Sequence, residues 1–414
     1  MEKIKHILLG HPIEIFNESG SRGYRHKGKS YIHHTDLHPR HTAFYRFSLK
    51  KKMLLFLTAF FLIAAFILNW KLTLTALIGG ITFIYFTDLL FNFYLIVRSF
   101  TKSPAIDISD DDLANLSDSQ LPKYTILCPL YKEGNVLTQF VKGIAELSYP
   151  KDKLQVLLLL EEDDKKTIKK ARELKLPSYF QLIQVPLSQP KTKPKALNYG
   201  LMHANGEYIV VFDAEDIPEP NQLKKAFLAF QRGGSKIKCI QAKLNFYNPH
   251  QNTLTKVFTA EYSLWFDLVL TGLQSINAPI PLGGTSNHFR KADIISLKGW
   301  DPFNVTEDAD LGMRIVKGGY RTAIINSETY EEANSEMKNW FFQRTRWIKG
   351  YMQTYLVHMR KPNDFSFAHL LTFQLVVGGK VTSMLINPLM WILTIIYFTM
   401  RSKYGSTIDS FFPT

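Results

Sequence analysis

Two carboxylate clusters follow directly on apolar runs. Val210-Val211-Phe212 passes straight into Asp213-Ala214-Glu215-Asp216. Carboxylates grouped at the carboxyl end of a buried strand suit Mg²⁺ or Mn²⁺, hard ions that share oxygen ligands with a diphosphate. Such an ion offsets the negative charge on a departing nucleoside diphosphate. The same residues would equally form an acidic loop ahead of a helix near Pro220. The second cluster is Asn304-Val305-Thr306-Glu307-Asp308-Ala309-Asp310. A sugar hydroxyl is a weak nucleophile until a base takes its proton, and a neighbouring carboxylate can do that. Asp308 is the candidate base, with Glu307 beside it. Thr306 can also cap a helix whose first turn carries Glu307, Asp308 and Asp310, and the two readings are compatible.

Three further groups could hold an anionic, hydroxyl-rich ligand. In Gln343-Arg344-Thr345-Arg346-Trp347 the spacing puts Gln343, Arg346 and Trp347 on one helical face. Arg346 on that face can grip diphosphate oxygens, and an indole offers a flat surface for a sugar ring. Core packing for Trp347 and lipid contact for the arginines is the alternative. Lys191-Thr192-Lys193-Pro194-Lys195 precedes a helix start and can neutralise phosphates, with Lys195 as a donor-binding candidate. Leu282-Gly283-Gly284-Thr285 lets backbone approach a ligand closely, with Gly284 and Thr285 as acceptor contacts, although a tight turn also explains the glycines.

Buried strands must position these groups. Tyr124–Pro129, Leu154–Leu160, Phe180–Val185 and Tyr208–Asp213 read as strands, with helices at Val136–Leu147 and Thr167–Leu174 between them. Near-continuous apolar strands alternating with helices predict a mostly parallel α/β sheet, whose ligands bind beyond the strands' carboxyl ends. Met53 to Val97 splits at Asn69-Trp70-Lys71 into two stretches, each near the roughly 20 residues that cross a bilayer. Lys50–Lys52 before the pair and Arg98 and Lys102 after it put both flanks on the cytoplasmic side. Asp88 inside the second stretch is expected to be a packing contact. Phe365–Val377 reads as interfacial and Met384–Met400 as a third span.

Residues 1–52 form a basic polar segment rich in histidine (His26, His33, His34, His38, His41), expected to be a solvated tail rather than a metal site or a secretory signal. The net charge of +14 fits anionic lipid and phosphate-bearing donors. No nucleic-acid-binding module signature is present, and nucleic acid is not expected as a partner. Hydrophobic residues make up 46% and the mean hydropathy is −0.08, which excludes a chain wholly embedded in membrane. Cys128 and Cys239 lie in apolar runs and read as buried thiols.

In order, Glu161-Glu162-Asp163-Asp164, Asp213-Ala-Glu-Asp216, Thr306-Glu307-Asp308 and Gln343-Arg-Thr-Arg346-Trp347 make the chain resemble the processive family 2 glycosyltransferases, the group of cellulose, chitin and hyaluronan synthases. The likeness runs from about Tyr124 to Pro388, with Asn304–Gly312 matching a bacterial membrane form. It implies a GT-A (Rossmann-like) domain flanked by transmembrane helices and an inverting mechanism. It implies that Asp213 binds the metal and ribose side of the donor, with Glu215 (by register) or Asp216 as the second ligand. Glu161 and its neighbours, Asp163 among them, would hold the nucleobase. Gln343 and Arg346 would grip the diphosphate, Asp308 would deprotonate the acceptor, and Trp347 would floor the acceptor channel. The expected plan is a tail (1–52), two spans (53–98), an acidic linker (99–121), a catalytic domain (122–362) and a C-terminal membrane segment (363–414). The expected reaction moves a sugar from a nucleotide-sugar, a UDP-sugar by preference, to a growing polysaccharide at the cytoplasmic face of the plasma (inner) membrane. Addition of one sugar to a lipid-linked acceptor and an inactive nucleotide-sugar scaffold are the alternatives. Synthases of this group carry several spans after the tryptophan motif where this chain has about one. An additional membrane subunit, an incomplete channel or a truncated chain would each account for that.

Overall fold

The computed structural model describes residues 13–16, 22–26, 29–32, 34–38, 41–44, 49–101 and 105–409. His33 and the C-terminal residues 410–414 lie outside them. An antiparallel meander comes first: β1 (Ile13–Phe16), β2 (Arg22–His26) and β3 (Lys29–Ile32). A long helix, α1 (Leu49–Thr101), follows.

The main body is built on an eight-stranded sheet in the order β6-β5-β4-β7-β10-β9-β11-β8. Its first half is β4 (Tyr124–Leu130), α2 (Leu137–Ala145), β5 (Leu154–Glu161), α3 (Lys165–Glu173), β6 (Phe180–Val185), α4 (Lys193–His203) and β7 (Tyr208–Val211). β6, β5, β4 and β7 are mutually parallel, as the strand–helix alternation predicts. Residues of β4 and β5 alternate between two cores. Ile126, Cys128, Val156 and Leu158 enter one, while Leu127, Leu157 and Leu159 enter the other. Strands covered on both faces need no polar side, which is why they read as unbroken apolar runs. Both cysteines are free and buried.

The second half makes the sheet mixed, although six of its eight strands still run in one direction. This half comprises β8 (Ile217–Pro218), α5 (Gln222–Gly233), β9 (Ile237–Phe246), α6 (Thr253–Ser263), β10 (Asn287–Arg290), α7 (Glu307–Lys317), β11 (Arg321–Glu331) and α8 (Met337–His358). β10 runs antiparallel between β7 and β9, and β8 antiparallel on β11, while all the other strands share one direction. Asn287-His288-Phe289-Arg290 is too polar to read as a central strand. Partners inside the fold make its burial tolerable: Tyr124 OH lies 2.7 Å from His288 Nδ1, and Asn287 donates to Gly283 O at 2.6 Å.

α1 breaks at Asn69 (φ −155°, ψ 87°). Asn69 Oδ1 accepts from Leu72 N at 3.0 Å, capping the second limb. Thr73 Oγ1 donates to Ala65 O at 2.9 Å, whereas eight residues of straight helix would separate them by about 12 Å. The two limbs therefore fold back at the predicted break. Among the described residues, Lys52–Phe100 and Phe367–Arg401 are the two helical stretches long and apolar enough to cross a membrane, with hydropathies of 2.3 and 1.7. The second limb also enters the domain. Leu95 is fully buried in the core, and a Cβ at Gly272 would lie 2.4 Å from Leu95 O, so only glycine permits this approach. Near the C-terminus, Phe365, Phe373 and Val377 are buried in the same core, and Phe373 stacks on Tyr355 at 5.7 Å. The stretch read as interfacial is thus in part a core contact ahead of the last helix, α9 (Gly379–Asp409), while Phe367 and Leu371 remain exposed.

Candidate functional site

A cavity of about 1080 Å³ opens beyond the carboxyl ends of β4, β5 and β7. It is lined by Asp213, Glu215, Glu161, Gly284, Thr285, Glu307, Asp308, Gln343, Arg346 and Trp347 together. Residues from five separate stretches of sequence thus face one space. Lys195, Asp163 and Asp216, the alternative second metal ligand, stand outside the lining.

Asp213 follows β7 after the buried Phe212. Lys193, the first residue of α4, donates to Asp213 Oδ1 at 2.5 Å and to Gly284 O at 2.8 Å. Burial alone would lower the Lys193 ammonium, but the charges of Asp213, Glu307 and Asp216 outweigh it and hold the proton firmly. Asp216 turns away from the cavity. Its Oδ2 accepts from Asp213 N at 2.6 Å and from the Thr285 hydroxyl, so it braces the turn that presents Asp213. Glu215 faces the cavity, its carboxyl pushed up to about 7 by burial and then by the Asp213 charge. Asp213 and Glu215 are thus the pair that faces a ligand from this loop.

Asp308 lies in the first turn of α7. Its carboxyl is raised to about 6, chiefly by burial, and that of Glu307 to about 8 by burial and the Asp308 charge. A Cβ on Gly284 would touch Asp308 Oδ2 at 3.4 Å and Lys193 Nζ at 4.0 Å, so bare backbone separates the candidate base from the Asp213 side. Thr306 occupies the cap position of α7 without a side-chain cap bond. Its amide instead donates to Asn304 Oδ1 at 3.1 Å, and Asn304 Nδ2 donates to Thr354 Oγ1 at 2.9 Å, tying the start of α7 to α8.

Gln343, Arg346 and Trp347 share one face of α8, as their spacing predicts. Arg344 lies over the Trp347 ring at 4.7 Å and is held by both oxygens of Glu261. It therefore fixes the indole rather than facing lipid. Tyr262 flanks the same ring at 6.2 Å.

Several roles shift from the sequence reading. Lys195 is fully buried and donates to Glu161 Oε2 at 2.9 Å, while Lys193 and Lys191 line the cavity. Two residues of helix turn the side chain by about 200°, so these lysines cannot share a face. Asp163 pairs with Lys191 at the rim. The Thr285 hydroxyl is taken up by Asp216 and by Val211 O at 3.1 Å. Sequence reasoning missed Glu133, raised to about 7 by burial and Asp213, and Glu331, raised by burial and the Asp216 and Asp213 charges. Glu133 follows the carboxyl end of parallel strand β4 and Glu331 ends β11, positions the strand-end rule would have flagged. At its far end the cavity reaches Asp88, Asn92, Lys380, Ser383 and Asn387 on α1 and α9.

Among the described residues no three His, Cys, Asp or Glu side chains converge as a ready-made metal cluster. Asp213 and Glu215 nevertheless suit a hard divalent ion, which commonly takes one or two carboxylates and completes its shell from substrate phosphates. Glu215, Glu133 and Glu331 are raised first by burial and then by the neighbouring Asp213 and Asp216 charges, and a bound cation would offset that repulsion.

Residues 122–350 match the family model described as glycosyltransferase like family 2. The chain is 28% identical over 236 residues to a probable glycosyltransferase, YdaM, of Bacillus subtilis (strain 168), covering 56% of each. It is 26% identical over 270 residues to glucomannan 4-beta-mannosyltransferase 2 of Arabidopsis thaliana, covering 62% of this chain and 50% of that one. The chain thus matches about half the length of these curated relatives. A solved mannosyltransferase, PcManGT from Pyrobaculum calidifontis in complex with GDP-Man and Mn²⁺, superposes with a TM-score of 0.58 at 18% identity, over 78% of this chain and 86% of that one. At that identity the likeness establishes the shared GT-A fold alone.

Proposed function

Because this chain belongs to glycosyltransferase family 2 and is a glycosyltransferase, we propose that it transfers a sugar from a nucleotide-sugar to a saccharide acceptor with inversion, beside a membrane. The observation that carries this reading is the single cavity shared by Asp213, Glu215, Lys193, Asp308 and Trp347. Asp308 accepts the proton of the acceptor hydroxyl as it attacks the anomeric carbon, and the bond to the diphosphate breaks. Lys193 and Arg346 bind the departing diphosphate, and the Lys193 ammonium keeps its proton throughout. Glu161, fixed by Lys195, borders the nucleobase end. Trp347, clamped by Arg344, stacks on the acceptor ring. Asp213 and Glu215 would hold Mg²⁺ or Mn²⁺, which supplies charge neutralisation at the diphosphate.

The growing chain of a polysaccharide is the acceptor class favoured here, with the catalytic domain on the cytoplasmic side of the plasma (inner) membrane. A lipid-linked acceptor is the second reading, favoured by the cavity's extension to α1 and α9. Incubating membranes that contain the protein with a panel of nucleotide-sugars and Mn²⁺, then sizing the products, separates the two. Long products support the first reading and single additions to lipid the second. Absence of nucleoside diphosphate release with every donor overturns both.

A further inference from the structure

The described residues between 31 and 44 (31–32, 34–38 and 41–44) lie outside the segment matched by the family model, yet they touch both loops that deliver the chemistry. One is the donor loop, 186–193, which ends in Lys193. Ile32 N donates to Gln189 O at 2.9 Å, Tyr31 bridges Gln189 in parallel register, and Ser188 Oγ donates to Ile32 O at 3.3 Å. The other is the loop 297–304 that leads into α7 and Asp308. Thr35 Oγ1 donates to Lys298 O, and Ala43 N donates to Asp301 Oδ2 at 2.6 Å. Phe44 packs on Phe303 at 4.8 Å, and Tyr31 packs on Phe44 at 5.4 Å and Phe303 at 6.1 Å. Arg360, just past α8, donates to Thr42 O at 2.8 Å. Thr42, Ala43 and Leu37 are buried by these contacts.

The two loops also meet directly, through Thr192 Oγ1 donating to Pro302 O at 2.8 Å. That contact is adjacent to Lys193, whose ammonium reaches Asp213 and Gly284 O, and Asn198 of α4 adds two hydrogen bonds to Trp300 at 2.9 Å each. The aromatic trio Tyr31, Phe44 and Phe303 stands outside the main buried clusters. It therefore contributes more to the spacing of the loops than to the cohesion of the domain. From these contacts we propose that residues 31–44 are a positioning strap, which fixes the donor loop against the catalytic loop so that Lys193 and Asp308 stand at the right distance across the cavity. The strap is a positioning element and touches no reacting atom. It rests on the transferase reading of the cavity.

Two variants test it in the full-length protein. Phe44→Ala removes the ring that joins strap to catalytic loop, and Phe44→Leu restores apolar bulk. Misplacement of the loops is expected to raise the donor KM or lower kcat on the order of tenfold in Phe44→Ala, with thermal stability almost unchanged and activity largely recovered in Phe44→Leu. Tyr31→Cys with Gln189→Cys allows an oxidative cross-link where the strap bridges the donor loop, and both native cysteines are buried. The cross-linked enzyme is expected to keep at least the donor affinity and turnover of the same double variant under reduction, which lacks the Tyr31 ring, because the strap acts in the docked position. Unchanged kinetics in Phe44→Ala, or a parallel loss of activity and stability, would overturn the strap. Loss of turnover on cross-linking, regained on reduction, would make the segment a lid and would overturn it as well. Failure of the transferase reading shows separately, as absent nucleoside diphosphate release in the wild-type protein.

Discussion

At the scale of single residues, the site is a concentration of carboxylates around one lysine. Asp308 sits high enough, at about 6, to gain and lose a proton near neutrality. As a base it must be ionised, so transfer is expected to fall as the pH drops through about 6, and a pH–rate profile at saturating donor checks this. Asp308→Asn removes the base and leaves the shape. Transfer should drop by about 10²- to 10⁴-fold while donor binding, followed by titration calorimetry, stays near wild type. Retained turnover would remove Asp308 from the role. Glu133 and Glu215, both raised to about 7 from 4.5, act on stability in the opposite sense from a salt-bridged acid. Between those values the folded protein holds protons that the unfolded chain has released. Stability from these groups is therefore present at the acidic end and lost as pH rises through about 7. Melting temperatures of the donor-free protein should decline across that window, and Mn²⁺ with nucleoside diphosphate should flatten the decline. The placement of Asp213 and Asp308 at the cavity was legible because one follows a strand end and the other lies in the first turn of a helix, and that of Trp347 because its spacing from Gln343 and Arg346 puts all three on one helical face. Lys195 was chosen from the sequence where the cavity is lined by Lys193, because which lysine of α4 faces the cavity depends on the rotation of that helix.

At the scale of elements, α7 and α8 must keep register, since one carries Asp308 and the other Trp347. They approach closely at Gly350, where a Cβ would lie 2.3 Å from Thr306 Cγ2 and 2.5 Å from its Oγ1. Gly350→Ala must push the start of α7 away or bend α8. A loss of about 1–3 kcal/mol of stability is expected, with a fall in kcat larger than unfolding accounts for. Chemical denaturation and steady-state kinetics on one preparation would show both, and a wild-type kcat would mean that the helices adjust independently of the site. Behind this contact, His358 Nε2 lies 3.0 Å from Asp310 Oδ1 and Arg314 Nε donates to Asp310 Oδ2 at 2.8 Å, a buried link between the same helices. The parallel strands β4 to β7 were readable, because burial on both faces leaves an apolar run. β10 and β8 were not, because a short polar strand is stabilised by partners far away in the chain, such as Tyr124 for His288.

At the scale of the whole molecule, the membrane-type helices and the catalytic body share a core. The first limb of α1 exposes large apolar side chains throughout, with Ile67 at 80% and Leu68 at 86%, surface that water would not tolerate and lipid would cover. The second limb differs, since Leu95 is fully buried among Phe266, Leu270 and Leu273, with Gly272 making room for its backbone. Position in sequence alone suggests that residues before 122 could be removed as a unit, whereas these contacts divide them. Removing residues 1–69 takes away an apolar limb and the strap but leaves Leu95 seated. Removing residues 1–101 empties that seat as well, and loss of a buried leucine alone costs about 2–5 kcal/mol. In detergent, the shorter truncation is expected to stay folded with weakened donor binding, and the longer one to aggregate. Leu95→Ala in the full chain should reproduce most of the stability loss while the protein still sediments with membranes. Equal stability of the two truncations would mean that α1 only anchors the catalytic domain and does not help to build it.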